Sequence, residues 1–197
     1  MYPNFKTKPF THQLQALGCS WSHENFAYFM EMGTGKSKVL IDNIAMLYDS
    51  GKINAAVIIA PKGVYRNWER LEIPAHLPDH IETRVTTWVA PSSRRKEDTK
   101  NLKKLSESFD GLDIFLMNVE ALAHKPAVDF LQKYLLGTLS LLCIDESTTI
   151  KSPSAQRTKN ILKICKGASY RRILTGSPVT KNPMDYIHNV LFLTKTF

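Results

Sequence analysis

The residues of this chain that are best suited to catalysis or ligand binding lie in one glycine-rich segment, Glu31-Met-Gly-Thr-Gly-Lys-Ser37. Gly33 and Gly35 let the backbone turn with its N–H groups facing inward, because glycine adopts positive φ without steric cost. Lys36 can reach the β- and γ-phosphates of a nucleotide, and the hydroxyl of Ser37 can ligate Mg²⁺. The segment predicts a phosphate-binding loop, whose residues are Met32, Gly33, Thr34, Gly35, Lys36 and Ser37.

The flanking sequence supplies the elements that such a loop requires. An apolar run at Phe26–Met30 predicts a strand, and a helical pattern covers Ser37–Tyr48. The phosphates would then lie at a helix N-terminus, where backbone N–H groups are free. The full motif places a glycine at position 30, where this chain has Met30. Since Gly-Lys-Ser alone is common by chance, this context is needed for the prediction.

A pair of acids follows a second apolar run. Leu139–Ile144 has the composition of a strand buried on both faces, and Asp145 and Glu146 come directly after it. In open α/β sheets the ligand lies beyond the carboxyl ends of the strands, so both acids would face the loop. Asp145 could hold Mg²⁺ and Glu146 could orient and deprotonate a water. The alternative is a solvated pair that caps the next helix. Together with the loop, the acids favour hydrolysis of ATP or GTP.

Composition limits the class of protein. With 197 residues, of which 43% are hydrophobic, the chain can bury one core, and no apolar stretch approaches a membrane span. Three scattered cysteines indicate a reducing, intracellular and therefore cytoplasmic protein without a disulfide framework or zinc site. The net charge of +8 favours a polyanionic partner, most simply nucleic acid, although ordinary solubility charge is the alternative.

Apolar runs alternate with helical patterns along the whole chain, which predicts an α/β fold with a doubly wound, mostly parallel sheet and helices on both faces. The predicted strands are Phe26–Met30, Ala55–Ala60, Thr83–Val89, Asp113–Met117, Leu139–Ile144 and Arg172–Leu174. The predicted helices are Thr11–Cys19, Ser37–Tyr48, Val64–Ile73, Lys96–Phe109, Ala127–Leu136, Ser154–Lys166 and Met184–Leu193.

Five further segments occur in a characteristic order: Lys8–Gln13, Ala60–Trp68, Asp113–Glu120, Asp145–Thr148 and Arg172–Val179. With the glycine loop, they resemble the motifs of the first RecA-like domain of superfamily-two helicases, and within these the Swi/Snf-type DNA translocases. The resemblance implies a RecA-like P-loop NTPase domain over residues 1–197 that uses ATP and Mg²⁺. Lys36 and Glu146 would be its catalytic residues.

The resemblance also implies roles for single residues. Gln13 would read adenine through its amide, although a solvated helix residue is the alternative. Lys62 and Asn118 would contact a nucleic-acid backbone. Trp68 is expected to pack in a helix rather than to stack on a base.

The last of these segments would couple hydrolysis to movement on nucleic acid. Thr175, Gly176 and Ser177 belong to it, although Thr-Gly-Ser-Pro is also a good turn sequence. One departure concerns this coupling: the acid motif of the family usually ends in histidine, and Thr148 stands at that position.

The motor of this family has two RecA-like lobes, and the second supplies arginines to the transition state. No such arginine motif occurs in this sequence, so we expect residues 1–197 to be the first lobe and a second lobe to be its partner. The leading hypothesis is a translocase on double-stranded DNA. The alternatives are a strand-unwinding DNA or RNA helicase and, from another class, a nucleotide-dependent nucleic-acid-binding module without motor activity. The compact motif spacing suggests a bacterial or viral source, with the nucleoid or host cytoplasm as its location.

Overall fold

Six parallel strands form one sheet in the computed structural model, which describes residues 4–146, 155–177 and 190–194. The spatial order is β1-β6-β5-β2-β4-β3, so the strand that leads into the glycine loop lies at one edge. The strands are β1 (Asn25–Phe29), β2 (Ala55–Ala60), β3 (Thr83–Thr87), β4 (Leu112–Asn118), β5 (Ser140–Asp145) and β6 (Tyr170–Thr175).

Seven labelled helices connect or flank these strands. They are α1 (Thr11–Ser20), α2 (Lys36–Asp49), α3 (Tyr65–Asn67), α4 (Ile73–His76), α5 (Lys96–Lys104), α6 (Lys125–Leu136) and α7 (Gln156–Ile164). A π-helical turn, Trp68–Glu72, joins α3 to α4 and makes one helical segment of the three. In the described part of the chain, no helix has both the length and the apolar character needed to cross a bilayer.

The central strand β2 shows why helices cover both faces of the sheet. All six of its residues are buried, and alternate side chains of a strand point to opposite faces. Val57 and Ile59 belong to a core that includes residues of α6 and α7. Ile58 belongs to a second core, which includes residues of α1, α2 and the segment from Tyr65 to Ile73. The doubly wound architecture predicted from the alternation of apolar runs is therefore confirmed.

A buried arginine fixes the elements around the glycine loop. Arg172, in β6, is fully buried, and its Nε donates to Oδ1 of Asn43 in α2 at 2.8 Å. Asn43 also donates to the carbonyl of Trp21 at 3.1 Å. The other guanidinium nitrogens donate to the carbonyls of Ser20, His23, Glu24 and Arg171. One side chain therefore joins β6, α2 and the connection from α1 to β1.

All six predicted strands are present, with ends that differ by no more than two residues. Two of the predicted helices differ from the observed ones in their length or regularity. The helix expected over Val64–Ile73 is interrupted by the π-helical turn, and the one expected over Lys96–Phe109 ends at Lys104. Further along, Gly111 packs closely against the Phe109 ring and the Glu82 carbonyl, where a Cβ would lie within 2.6 Å of both. The predicted Met184–Leu193 helix lies largely outside the described residues.

Candidate nucleotide site and nucleic-acid groove

The glycine loop has the backbone conformation that its sequence predicts. Gly33 and Gly35 have φ of 77° and 82°, in the left-handed region that favours glycine. Gly35 is the N-cap residue of α2, a helix of 14 residues. The first N–H groups of a helix lack intrahelical acceptors, and the helix dipole is positive at that end. The loop therefore leads into a helix N-terminus of the kind that can bind an anion, and Ser37 lies in the first turn of α2.

The ammonium group of Lys36 is engaged by the loop itself. Its Nζ donates to the carbonyls of Met30 and Glu31, each at 3.0 Å. These two carbonyls belong to the connection between β1 and α2. The lysine is thus held over the loop, at the place where phosphate oxygens would be expected from the motif.

Gln13, in α1, supports the same loop. Its amide Nε2 donates to the carbonyl of Thr34 at 3.1 Å, and its Oε1 accepts from the N–H of Phe10 at 2.9 Å. The ring nitrogen Nε2 of His12 lies 3.0 Å from the same Thr34 carbonyl. A Cβ on Gly35 would lie 2.3 Å from the Gln13 amide nitrogen, so the loop and α1 are closely packed. Adenine recognition by Gln13 stays a prediction.

Asp145 ends β5 and is a buried carboxylate. Only 8% of the residue is exposed, and its Oδ2 accepts a hydrogen bond of 2.9 Å from the indole Nε1 of Trp68. Burial raises its pKa from 3.8 to about 6, because desolvation disfavours the charged form. The Trp68 hydrogen bond opposes that rise, and the positive charge of Lys36 also lowers the pKa. The loop lysine and this acid therefore share one electrostatic environment.

Glu146, which follows Asp145, has an unusual backbone. Its φ is 51°, and it is the single non-glycine residue with positive φ in the described ranges. That conformation costs free energy for a residue with a Cβ, and strained residues of this kind concentrate at functional sites. Its negative charge contributes to the raised pKa of Asp145, so the two acids are close.

The donor atoms of this site fit a magnesium ion. Mg²⁺ prefers hard oxygen ligands, typically one or two carboxylates with hydroxyls, waters and substrate phosphates. Ser37 offers a hydroxyl at the helix terminus and Asp145 a carboxylate whose charge is poorly solvated. A bound cation would stabilise the charged form of Asp145 and so offset the effect of desolvation on its pKa.

The segment that follows β6 touches the glycine loop. A Cβ on Gly176 would lie 3.5 Å from the carbonyl oxygen of Met30 and from atoms of Met32. Thr175 is fully buried, and its hydroxyl accepts from the N–H of Ser177 at 3.1 Å, as in a turn. Met32 itself is 82% exposed. The three residues predicted to couple hydrolysis to movement thus begin beside the loop, while Thr148 lies outside the described residues.

A groove of about 380 Å³ lies at the carboxyl ends of β2, β3 and β4. Lys62, two residues after the end of β2, and Asn118, the last residue of β4, both line it. The Oδ1 of Asn118 accepts from the N–H of Ala121 at 2.9 Å and so caps the helical turn that follows β4. The remaining lining residues include Tyr65, Arg66, Trp88, Ser93, Glu120 and His124.

A second groove of about 280 Å³ continues from the first and shares Tyr65 and Arg66 with it. It adds the guanidinium groups of Arg70 and Arg95, together with the carboxylates of Glu69 and Asp98. Asp98 is paired with Arg95 at 3.4 Å, so Arg70 contributes the positive charge that has no such partner in the groove. The sequence indicated a nucleic-acid role for Lys62 and Asn118 but did not predict this pair of grooves, although Lys62, Arg66 and Arg70 recur at intervals of four residues.

The structure places the predicted residues in two groups, both at the carboxyl ends of the parallel strands. The loop, Asp145, Glu146 and Thr175 lie at the ends of β1, β5 and β6, and Lys62 and Asn118 lie at the ends of β2 and β4. Trp68 is 1% exposed, so the expectation that it packs is confirmed. Its hydrogen bond to Asp145 was missed, because nothing in the sequence relates residues 77 positions apart.

A single parallel sheet with a glycine loop between β1 and α2 defines the class of RecA-like domains, and solved structures of that class superpose on this chain. A Swi2/Snf2 ATPase core from Sulfolobus solfataricus, solved in complex with double-stranded DNA, matches with a TM-score of 0.75 and 20% identity, over 99% of this chain and 38% of that one. The UvsW helicase of bacteriophage T4 matches with a TM-score of 0.64 and 12% identity, over 95% and 58%.

The family profile described as SNF2-related domain matches residues 20–196. The chain belongs to this family, as its motifs indicated. A Caenorhabditis elegans homologue of the SWI/SNF-related chromatin regulator containing DEAD/H box 1 is 24% identical over 193 residues, which are 94% of this chain and 18% of that protein. The ATP-dependent helicase fft2 of Schizosaccharomyces pombe is 22% identical over 186 residues, which are 91% and 14%. The chain thus spans less than a fifth of these relatives.

Proposed function

We propose that this chain is the ATP-binding lobe of a nucleic-acid-stimulated ATPase that moves along double-stranded DNA. The proposal rests on how the predicted functional residues are arranged along the carboxyl ends of the strands, which form one edge of the sheet. A phosphate-type loop and an acid pair lie at one end of this edge, and a basic groove lies at the other. The family and its relatives, which include chromatin and helicase proteins, support the same function.

Hydrolysis would use the residues at the loop. The N–H groups at the start of α2 and the ammonium of Lys36 would bind the phosphates. Ser37 and Asp145 would hold Mg²⁺, which would neutralise the charge that develops on the phosphate oxygens during the reaction. Glu146 would orient the attacking water and accept its proton. Gln13 would face the base from α1. Lys36 already donates to the carbonyls of Met30 and Glu31, so a phosphate would accept from its third N–H or displace these bonds.

Nucleic acid would bind along the two grooves. Lys62, Arg66, Arg70 and Arg95 offer positive charge to phosphates, and Asn118 offers amide N–H groups. Contacts of this type carry no base sequence and suit a protein that moves along its track. Thr175, Gly176 and Ser177 would transmit the state of the nucleotide, because Gly176 packs against the loop.

The family resemblance also supports a second RecA-like lobe as the partner of residues 1–197. That lobe would close on ATP and supply arginines to the transition state, which are worth 10³–10⁵ in rate. A direct test compares the rate of ATP turnover by this chain with the rate for the longest form of the protein that contains it. Equal turnover by the two forms would contradict the need for a second lobe.

The main experiment measures ATP turnover with double-stranded DNA, single-stranded DNA or RNA, with Lys36→Ala as the blank. We expect strong stimulation by duplex DNA. A further comparison uses Lys62→Ala with Lys133→Ala, a surface lysine on α6, as its matched control. Lys62→Ala should weaken DNA binding and reduce the salt slope by about 1, while the control should not. No stimulation by any nucleic acid would refute the proposal.

A strand-unwinding helicase is the second candidate, and the match to the UvsW helicase favours it. The two candidates differ in a strand-displacement assay on labelled duplexes. A translocase strips a third strand without separating the duplex, whereas a helicase separates the duplex itself.

A further inference from the structure

Trp68 combines burial with a polar contact that links two distant parts of the site. It begins the π-helical turn between α3 and α4, and turns of this kind inside helices are frequent at functional sites. Its ring packs in the core on the α2 side of the sheet. The indole Nε1 donates to Oδ2 of Asp145 at 2.9 Å, and both residues are buried.

We propose that Trp68 is a positioning residue, which holds the Asp145 carboxylate in the orientation that Mg²⁺ requires and ties it to the nucleic-acid groove. The inference rests on the proposed function, because it takes Asp145 as a metal ligand. Hydrogen bonds to a metal-ligating carboxylate fix its orientation, and loss of such a partner typically lowers metal affinity 10–100-fold.

The burial of Trp68 fixes the direction in which its indole N–H donates to Asp145. A ring that is 1% exposed in a packed core has few alternative rotamers, so its N–H direction is fixed by the surrounding side chains. The carboxylate it holds is the last residue of β5, a strand paired on both sides, by β2 and β6. A rigid donor and a rigid acceptor are what a metal site needs to keep its geometry.

The helical segment of Trp68 also borders the grooves. Tyr65 and Arg66, three and two residues earlier, line both of them. Tyr65 is 7% exposed and packs in the same core cluster as Trp68. A nucleic acid bound against α3 would therefore hold the indole donor more firmly in place, and with it the metal-binding carboxylate.

The test uses Trp68→Phe, which keeps an aromatic ring and removes the donor. Trp21→Phe is the matched control, because Trp21 lies outside both grooves and stacks beneath Lys52. The affinity for a fluorescent ATP analogue is measured in excess EDTA and across a Mg²⁺ titration. We expect the Mg²⁺ concentration for half-maximal effect to rise 10–100-fold in Trp68→Phe alone, with affinities in EDTA that agree within about twofold.

The outcomes separate this inference from the proposed function. If wild type shows Mg²⁺-dependent binding and Trp68→Phe behaves as Trp21→Phe does, the inference is overturned and the proposed function stands. If wild type shows no Mg²⁺-dependent binding, both fail. Addition of duplex DNA tests the link: it should lower the Mg²⁺ requirement of wild type and not that of Trp68→Phe. An equal shift in both would overturn the link.

A second measurement does not depend on the folding of Trp68→Phe. The chain has three tryptophans, so Trp21→Phe combined with Trp88→Phe leaves Trp68 as the only one. Its emission should shift when the ATP analogue is added with Mg²⁺, and not when it is added in EDTA. Unchanged emission with Mg²⁺ and saturating analogue would overturn the inference.

Discussion

Replacement of Asp145 by Asn should stabilise the fold, and the gain should depend on pH. The pKa of Asp145 is about 6 in the folded chain against 3.8 for the ordinary group. The folded state therefore holds this proton more tightly than the unfolded state, so stability falls as pH rises from about 4 to about 6 and is constant above. Two pKa units at 1.36 kcal/mol each give a cost of about 3 kcal/mol above pH 7, and about half of that near pH 5.

The amide side chain that this change creates keeps an oxygen acceptor for the Trp68 indole and carries no charge to desolvate. Any packing cost of the amide is the same at every pH, so the pH dependence is diagnostic. Urea unfolding of both proteins at pH 5, 6, 7 and 8, in buffer with EDTA, gives the difference in free energy of unfolding. Asp129→Asn is the control, because Asp129 is exposed and paired with Lys125 on the helix surface. A difference between wild type and Asp145→Asn that stays flat from pH 5 to 8 would refute the reasoning.

Three further changes test the backbone and the buried polar network. Glu146→Gly should be more stable than Glu146→Ala by about 1 kcal/mol in urea unfolding, because φ at this position is 51° and only glycine adopts it freely; equal stabilities would contradict the strain. Gly35→Ala should lower the affinity for the ATP analogue at least about tenfold, because its Cβ would meet the Gln13 amide at 2.3 Å and its backbone is left-handed. Gly18→Ala is the control: its Cβ would have open space around it, so the affinity should not change. Arg172→Met should cost about 3 kcal/mol or more by chemical denaturation, because it leaves several buried carbonyls without a donor, and a loss below about 1 kcal/mol would show that the network is dispensable.

The sequence was sufficient for the strands and for the phosphate loop, for a physical reason. A strand buried on both faces must be apolar throughout, and β2 and β5 are largely so; a loop that needs positive φ must have glycine, and Gly33 and Gly35 provide it. Both are local requirements that single residues satisfy. The order of strands in the sheet, with β1 at an edge, follows from long-range packing and was not predicted.

The polar contacts inside the core could not be read from the sequence. Arg171 and Arg172 begin a strand and resemble solvated residues, yet both are fully buried. The π-helical turn also escaped prediction, because the apolar spacing from Val64 to Ile73 fits a regular helix. Within it, Trp68 donates to Asp145, a tertiary contact that the local sequence does not reveal.

The ammonium of Lys36, bound to two carbonyls of its own loop, changes how substitutions at this position should be interpreted. A nucleotide that enters the loop meets an ammonium group with two of its three N–H donors already engaged. The net gain in affinity from the lysine is therefore the difference between two sets of partners, and it is smaller than the strength of a phosphate contact suggests. Removal of the lysine also releases the tether between the start of α2 and the end of β1. A lower affinity in a Lys36 variant would therefore report a changed loop as well as the loss of a phosphate contact.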